Sequence, residues 1–348
     1  MRYSSQRKTA NSVLMEKNTV YDEGKKMSLG IVGVRGYVGR ELIRLLSNHS
    51  SIQVEWVSSR QLKGVTLGSF LSQDKHFEPV PLTTEHYYNN LKIETLSGND
   101  IVEKNTDVIV LALPNGLAQP IVDRIEQSGE SKIVIDLSAD FRFDDKWTYS
   151  IPELLNDEKT LDRVGTGLKK ISNPGCYATA MQIALAPLVK LIQGRANCFG
   201  ISGFSGAGTK PSANNDPVNL KENILPYGLI EHLHEKEVSY QLGIPISFSP
   251  HVAEFFRGIS MTVQVTLKQQ HSLNSIIDLF EKSYRNTTLI KVQKSIPNIQ
   301  QIVNREDCIV GGFCLSEDGK RLTLVSCLDN LLKGAASQAL QNIELALR

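Results

Sequence analysis

No stretch of this sequence is both long and apolar. The longest such runs, for example Val108 to Leu113, are strand-length and fall far short of the roughly 20 residues a membrane-spanning helix needs. Nor does either charge predominate. Thirty-eight basic against 37 acidic residues leave a formal net charge of +1, so no overall field attracts nucleic acid or an anionic membrane, and any anion must be held locally. Cysteine is scarce and odd in number, at positions 176, 198, 308, 314 and 327. These cysteines lack paired metal-ligand spacing, and the chain is too large to need covalent staples. A reducing cytoplasm is therefore the expected compartment. Residues 1–27 contain no apolar segment of the secretory type, and Glu16, Asp22 and Glu23 interrupt what a transit peptide would keep free of acids. They are expected to form a disordered tail before the folded core. The sequence contains no repeat and no low-complexity tract.

What is present is enough for two domains: 348 residues, 41% of them hydrophobic. LGIVGV (from Leu29), IQVEWV (from Ile52), DVIVLAL (from Asp107) and KIVIDL (from Lys132) read as buried strands. Between them, Val38, Leu42, Leu45 and Leu46 form one helical stripe, and Leu117, Ile121, Val122 and Ile125 another. Strands alternating with helices imply an α/β, doubly wound parallel sheet. After Pro174 the pattern changes. A helix from Tyr177 to Ile192 leads into β-rich segments near Phe199, Ile246 to Phe248, Gly258 to Leu267 and Leu322 to Leu328, with a helix from Leu273 to Tyr284 covering them. This second part reads as α+β.

Gly33-x-x-Gly36-x-x-Gly39 lies between the first strand and its helix, the context in which a glycine motif gains meaning. Small residues let backbone approach a pyrophosphate, and the helix N-terminus offers free N–H groups. Arg35, Tyr37 and Val38 complete that turn. At the end of the second strand, where an NAD site usually carries an acid for the ribose, the chain reads Ser58-Ser59-Arg60. Two hydroxyls and a guanidinium suit a 2′-phosphate, so NADP is expected. Pro114-Asn115-Gly116 follows another strand and should line the same crevice, while Gly206, in a Gly-Ala-Gly run, either offers backbone amides to an anion or makes a plain turn.

Cys176, in SNPGCY, stands directly before a helix whose terminal amides should stabilise a thiolate. The other four cysteines, in apolar or strand-like runs, read as small buried hydrophobes. His251, just before a strand, is a candidate acid/base group; on sequence alone a structural histidine fits equally well. His232 and His234 have no third convergent ligand, so no metal site is expected.

Across Ser28 to Arg348 these blocks, together with DLSADFR (Asp136 to Arg142), GFSGAGTKPS (Gly203 to Ser212), EHLHEKEVSYQLG, PHVAEFFRGI and DNLLKGAASQAL (Asp329 to Leu340), resemble the N-acetyl-gamma-glutamyl-phosphate reductases, relatives of the aspartate-semialdehyde dehydrogenases. The resemblance implies a Rossmann-type NADP-binding domain (28–175 plus 329–348) and a catalytic and oligomerisation domain of the semialdehyde dehydrogenase type (176–328). It implies Cys176 as nucleophile, His251 as general acid/base, and the Asp329 to Gly334 segment, with Asn330, closing over the nicotinamide half of the cofactor. The implied substrate is a small acyl phosphate carrying a carboxylate. Arg142 and Arg257 are then the candidate anion holders, with Asn173 beside them. The same chemistry on an aminoadipyl or aspartyl phosphate and a non-catalytic NADP-binding sensor are the alternatives. A homodimer or homotetramer is expected.

Overall fold

The computed structural model describes residues 26–47, 49–73, 76–77, 85–155 and 169–347. The expected tail lies, up to residue 25, outside them, and Met27 already opens the first strand. Seven strands, β1 (Met27–Val32), β2 (Ile52–Ser58), β3 (Ile93–Glu94), β4 (Val108–Leu111), β5 (Ile133–Asp136), β6 (Thr148–Tyr149) and β7 (Lys169–Ser172), form one sheet in the order β3-β2-β1-β4-β5-β7-β6. Every pairing in it is parallel. Helices α1 (Tyr37–Leu46), α2 (Leu67–Leu71), α3 (Glu85–Asn90), α4 (Gly98–Glu103) and α5 (Gln119–Ser128) connect the strands.

Central strands of such a sheet are covered on both faces and so read as continuous apolar runs. Val108, Val110, Ile133 and Ile135 join a cluster with Leu42, Ile43 and Leu46 of α1 on one face. Ile109, Leu111 and Val134 join Val122 and Ile125 of α5 on the other.

The rest of the chain builds a mixed sheet from β8 (Ile192–Gly203), β9 (Ile224–Pro226), β10 (Ile246–Ala253), β11 (Ile259–Leu267), β12 (Ile290–Val292), β13 (Cys308–Leu315) and β14 (Arg321–Leu328), ordered β12-β13-β14-β11-β8-β10-β9. Its helices are α6 (Cys176–Leu185), α7 (Pro217–Leu220), α8 (Leu233–Leu242), α9 (Leu273–Tyr284) and α10 (Ser337–Ala346). Helix α6 is shorter than its apolar sequence implies, because Pro187 falls in a separate turn at Ala186–Leu188 and β8 already begins at Ile192. Nor is it amphipathic. Tyr177 to Leu185 are buried without exception, as befits a helix enclosed on all sides. Helix α10 returns to the first sheet, where Ala339 and Ile343 pack in the cluster of Leu42 and Ile31. Among the described residues no helix is long and apolar enough to cross a membrane.

Candidate active site

Because the first sheet is parallel, all its carboxyl ends lie on one edge. The turn after β1 carries the glycine motif. Gly33 has φ +93°, and a Cβ there would collide with the Ala112 carbonyl, while a Cβ on Gly39 would lie 2.8 Å from the Val34 Cα. Both glycines serve close packing of the turn. Gly36 differs: it is the extended N-cap of α1, with no side-chain cap and no acid in the first turn. A Cβ on it would find only the Gly33 carbonyl, 3.8 Å away. The α1 amides are thus open to a phosphate. Val38 packs inward, Arg35 is half-buried, and Tyr37 rests edge-on against Phe256 of the second domain.

Along the same edge, Ser58 and Ser59 are buried and Arg60 is exposed. The Ser58 carbonyl accepts from Gly33 and Val34, and the Ser59 hydroxyl accepts from the Gln61 amide. These two serines therefore brace the turn, and only Arg60 projects. The Pro114–Gly116 turn is tied to the turn after β5: the Gly116 amide donates to Asp140 (2.6 Å) and the Ala139 amide to Asn115 Oδ1 (3.0 Å).

The loop after β7 places Cys176 at the first position of α6, with Gly175 as an uncapped N-cap. The side chains around it come from far apart in sequence. A Cβ on Gly175 would collide with His234 Nε2 and stand 2.7 Å from Arg142 Nη1, so glycine is needed for this approach. The Gly175 amide donates to the fully buried Glu237 (2.9 Å), which also accepts from Arg142 Nη1 (2.8 Å) and the Tyr149 hydroxyl (2.7 Å). On the other side, a Cβ on Gly334 would stand 2.7 Å from the Cys176 Cβ. The Asp329 to Gly334 segment therefore packs on the cysteine.

Electrostatically the thiol differs from the sequence expectation. Desolvation pushes it up to about 11, against the Tyr177 amide and the Arg142 charge, which pull it down, while Glu237 adds a further upward push. The helix terminus acts in the expected direction but does not dominate. His234 is held well below its ordinary value by desolvation, then by Arg142 and His232. Its Nδ1 is enclosed with no hydrogen-bond partner among the described residues. A neutral imidazole thus lies against the peptide that carries the cysteine.

His251 does not join it. Along β8, Gly200 turns its Cα face to Tyr177, Phe248 and Met261, so its neighbours Phe199 and Ile201 point to the opposite face of the sheet. His251 pairs with Ile201 in register, and its ring lies 4.5 Å from that of Phe199. Its Nδ1 is 3.2 Å from the Ser249 carbonyl. Only its backbone reaches the cysteine side, where the carbonyl accepts from the Tyr177 hydroxyl (2.6 Å).

Comparison with known proteins follows this geometry. Residues 28–161 match the model of the semialdehyde dehydrogenase NAD-binding domain and residues 176–330 that of the semialdehyde dehydrogenase dimerisation domain. The chain is 45% identical over 320 residues to N-acetyl-gamma-glutamyl-phosphate reductase of Stenotrophomonas maltophilia, covering 92% of this chain and 95% of the relative. It belongs to the N-acetyl-gamma-glutamyl-phosphate reductase family. Its fold is similar to aspartate semialdehyde dehydrogenase II of Vibrio cholerae, solved with ASA (TM-score 0.72, 16% identity, 93% of this chain and 99% of that one). It is likewise similar to aspartate semialdehyde dehydrogenase with NADP from Candida albicans (TM-score 0.69, 16% identity, 92% and 98%).

Three of the other expected site residues spend their side chains on contacts within the protein. Arg257 is buried and committed to two carboxylates, donating to Asp329 (2.6 and 3.0 Å) and to Glu41 of α1. It ties the domains together through two acids of the protein itself. Asn173 likewise spends its side chain within the protein, donating to the Ala335 carbonyl (3.3 Å) and accepting from Asn342 (2.9 Å). Asn330 is buried between the Gly258 amide (2.7 Å) and the Ser205 hydroxyl (2.9 Å), near exposed Gly206. Arg142 does stand at the cysteine, with three of its five N–H groups engaged by Asn173, Glu237 and Leu137. Cys314 is exposed, unlike Cys198, Cys308 and Cys327. The residues the sequence reading missed are His234, Glu237, Tyr149 and Tyr227. The last of these is pushed up first by desolvation and then by the nearby Cys176 sulfur, and it hydrogen-bonds with Tyr177. The available signal was the His-x-His-x-x-Glu spacing, which on α8 and its N-cap sets His234 and Glu237 three residues apart, on one helical face.

Proposed function

We propose that the protein reduces N-acetyl-gamma-glutamyl phosphate to N-acetylglutamate 5-semialdehyde and phosphate, the arginine-biosynthetic step for which its relatives are named, with NADPH as reductant. The observation that carries this reading is Cys176 at the start of α6, on the edge of the sheet that bears the open glycine turn. From the end of β2 to the end of β7 is four strand spacings, roughly 19 Å, so one dinucleotide laid along that edge brings its far end to the cysteine. Bound NADPH supplies the hydride.

The protein's own groups do the rest. The Cys176 sulfur attacks the acyl carbon, phosphate leaves, and a thioester remains. Two unassigned N–H groups of Arg142 are available to an anionic oxygen, and Glu237 fixes the direction of that guanidinium. His234, kept neutral, accepts the thiol proton as the sulfur attacks. It returns a proton to the oxygen that turns negative when hydride reaches the carbonyl carbon. As the hemithioacetal collapses, His234 takes the hydroxyl proton back, the Cys176 thiolate is expelled and the aldehyde is freed. The structure contacts favour His234 over His251 in this role.

The second domain is read as the assembly unit. The family model covering it is a dimerisation domain, and its sheet leaves Phe199 42% exposed on the face away from the helices. A homodimer or homotetramer in a reducing cytoplasm is the proposed working form. Trapping tests the chemistry. Incubating the protein with the acyl phosphate and no NADPH should add one acyl group to the peptide containing Cys176, with release of one equivalent of phosphate. Phosphate release without a cysteine adduct refutes the thioester route.

A further inference from the structure

On the edge described above, beside the glycine turn, lies a groove of about 380 Å³. Its walls come from the segments that follow β2, β3 and β4, three strands whose carboxyl ends lie side by side with that of β1. Leu96, Leu117, Pro120 and Ile121 make it apolar, and two guanidiniums, Arg60 and Arg124, line it as well. Arg124 lies in the second turn of α5, exposed, its stem against Gly98.

Neither arginine has an ion-pair partner among the described residues, and the acids nearby are occupied. Glu94 pairs with Lys104 and Glu126 with Lys170. Asp123 accepts from Gln119, and Asp100 is closed in a capping box with Ser97. Two like charges are thus left facing one apolar slot. That arrangement costs free energy until an anion enters, and a doubly charged anion suits it best.

We infer that Arg124, together with Arg60, forms a two-guanidinium clamp on the 2′-phosphate of an adenine nucleotide, whose base lies between the apolar walls. Arg124 is then a residue that sets cofactor selectivity from a helix the glycine turn does not include. This rests on the cofactor reading above, and the two fail in distinguishable ways. Arginine serves better than lysine on geometric grounds, because a planar fork reaches two phosphate oxygens at once while its stem stays on Gly98.

The test is titration of the full-length protein with NADPH, NADH, adenosine 2′-monophosphate and adenosine 5′-monophosphate, for wild type, Arg60→Ala, Arg124→Ala and Arg124→Lys, with melting curves to show that each exposed-site variant is folded. Arg124→Ala should weaken NADPH and the 2′-monophosphate at least tenfold, while NADH and the 5′-monophosphate change less than threefold. Arg124→Lys should recover part of the loss, and raising salt should cost wild type more than either alanine variant. Equal losses for phosphorylated and unphosphorylated ligands overturn the clamp, making Arg124 a support for the base. If Arg60→Ala alone abolishes the preference, the cofactor reading stands and the inference about Arg124 falls. If wild type does not prefer NADPH to NADH, the cofactor reading itself falls.

Discussion

At Cys176, desolvation and the Glu237 charge oppose the helix amide and Arg142, and the first pair wins in the free protein. With the thiol pushed up to about 11, its thiolate is a minor species at neutral pH. Alkylation by iodoacetamide should then rise about tenfold per pH unit from pH 7 to beyond pH 9. Glu237→Gln removes the upward push of a nearby negative charge, so alkylation at fixed pH should quicken several-fold. A rate already level above pH 8 would show that the thiol is ionised at rest. The histidines give the second expectation at this scale. His234→Asn should lower turnover by about 10²–10⁴-fold, and His251→Asn should keep it within a few-fold; the reverse order restores the acid/base role to His251. The cysteine was legible because it stood alone before a helix in an unusual context. The histidine was not, since a strand's alternation says that His251 and Val252 face opposite ways but not which face meets α6. That depends on the pairing of β10 with β8, formed by residues about 50 positions apart.

Among the elements, α1 and the Asp329 turn are held to the second domain by Arg257. Its two carboxylate partners are buried, so Arg257→Ala leaves Asp329 without a cation and Glu41 with Arg44 alone, and should cost about 3–5 kcal/mol of stability, read by urea denaturation. An arginine that served substrate would instead raise KM and leave the denaturation midpoint alone. Nothing in the periodicity of α1 announces that Glu41 is buried, because the partner that encloses it from the second domain, Arg257, lies 216 residues away. Elements whose apolar pattern is local were readable. Helix α9 spans Leu273 to Tyr284 as its stripe of Ile276, Ile277 and Phe280 implies. Strands β3, β6 and β9, of two or three residues, carry too little pattern to stand out. Strands β7 and β13 also escaped the sequence reading; β7 opens with two lysines and β13 carries a Gly-Gly pair.

For the whole molecule, the outer face of the second sheet bears Phe199, His251 and Val325 outside the helical layer. If copies associate there, wild type sediments as a dimer or tetramer at micromolar concentration, and Phe199→Asp shifts it towards monomer. A wild-type monomer contradicts the assembly. The two-sheet architecture was legible because the regular strand–helix alternation gives way, after Pro174, to one long helix followed by β-rich segments that a single further helix covers. The substrate was legible only through resemblance, since one arginine beside a thiol fits many acyl phosphates. The most direct test of the central claim is therefore the reverse reaction: phosphate-dependent reduction of NADP by N-acetylglutamate semialdehyde, with aspartate semialdehyde alongside. The account predicts NADPH formation that requires phosphate, is lost in Cys176→Ser and is at least a hundredfold faster with the acetylated substrate. Equal or greater activity on aspartate semialdehyde, or activity that survives loss of the thiol, would contradict it.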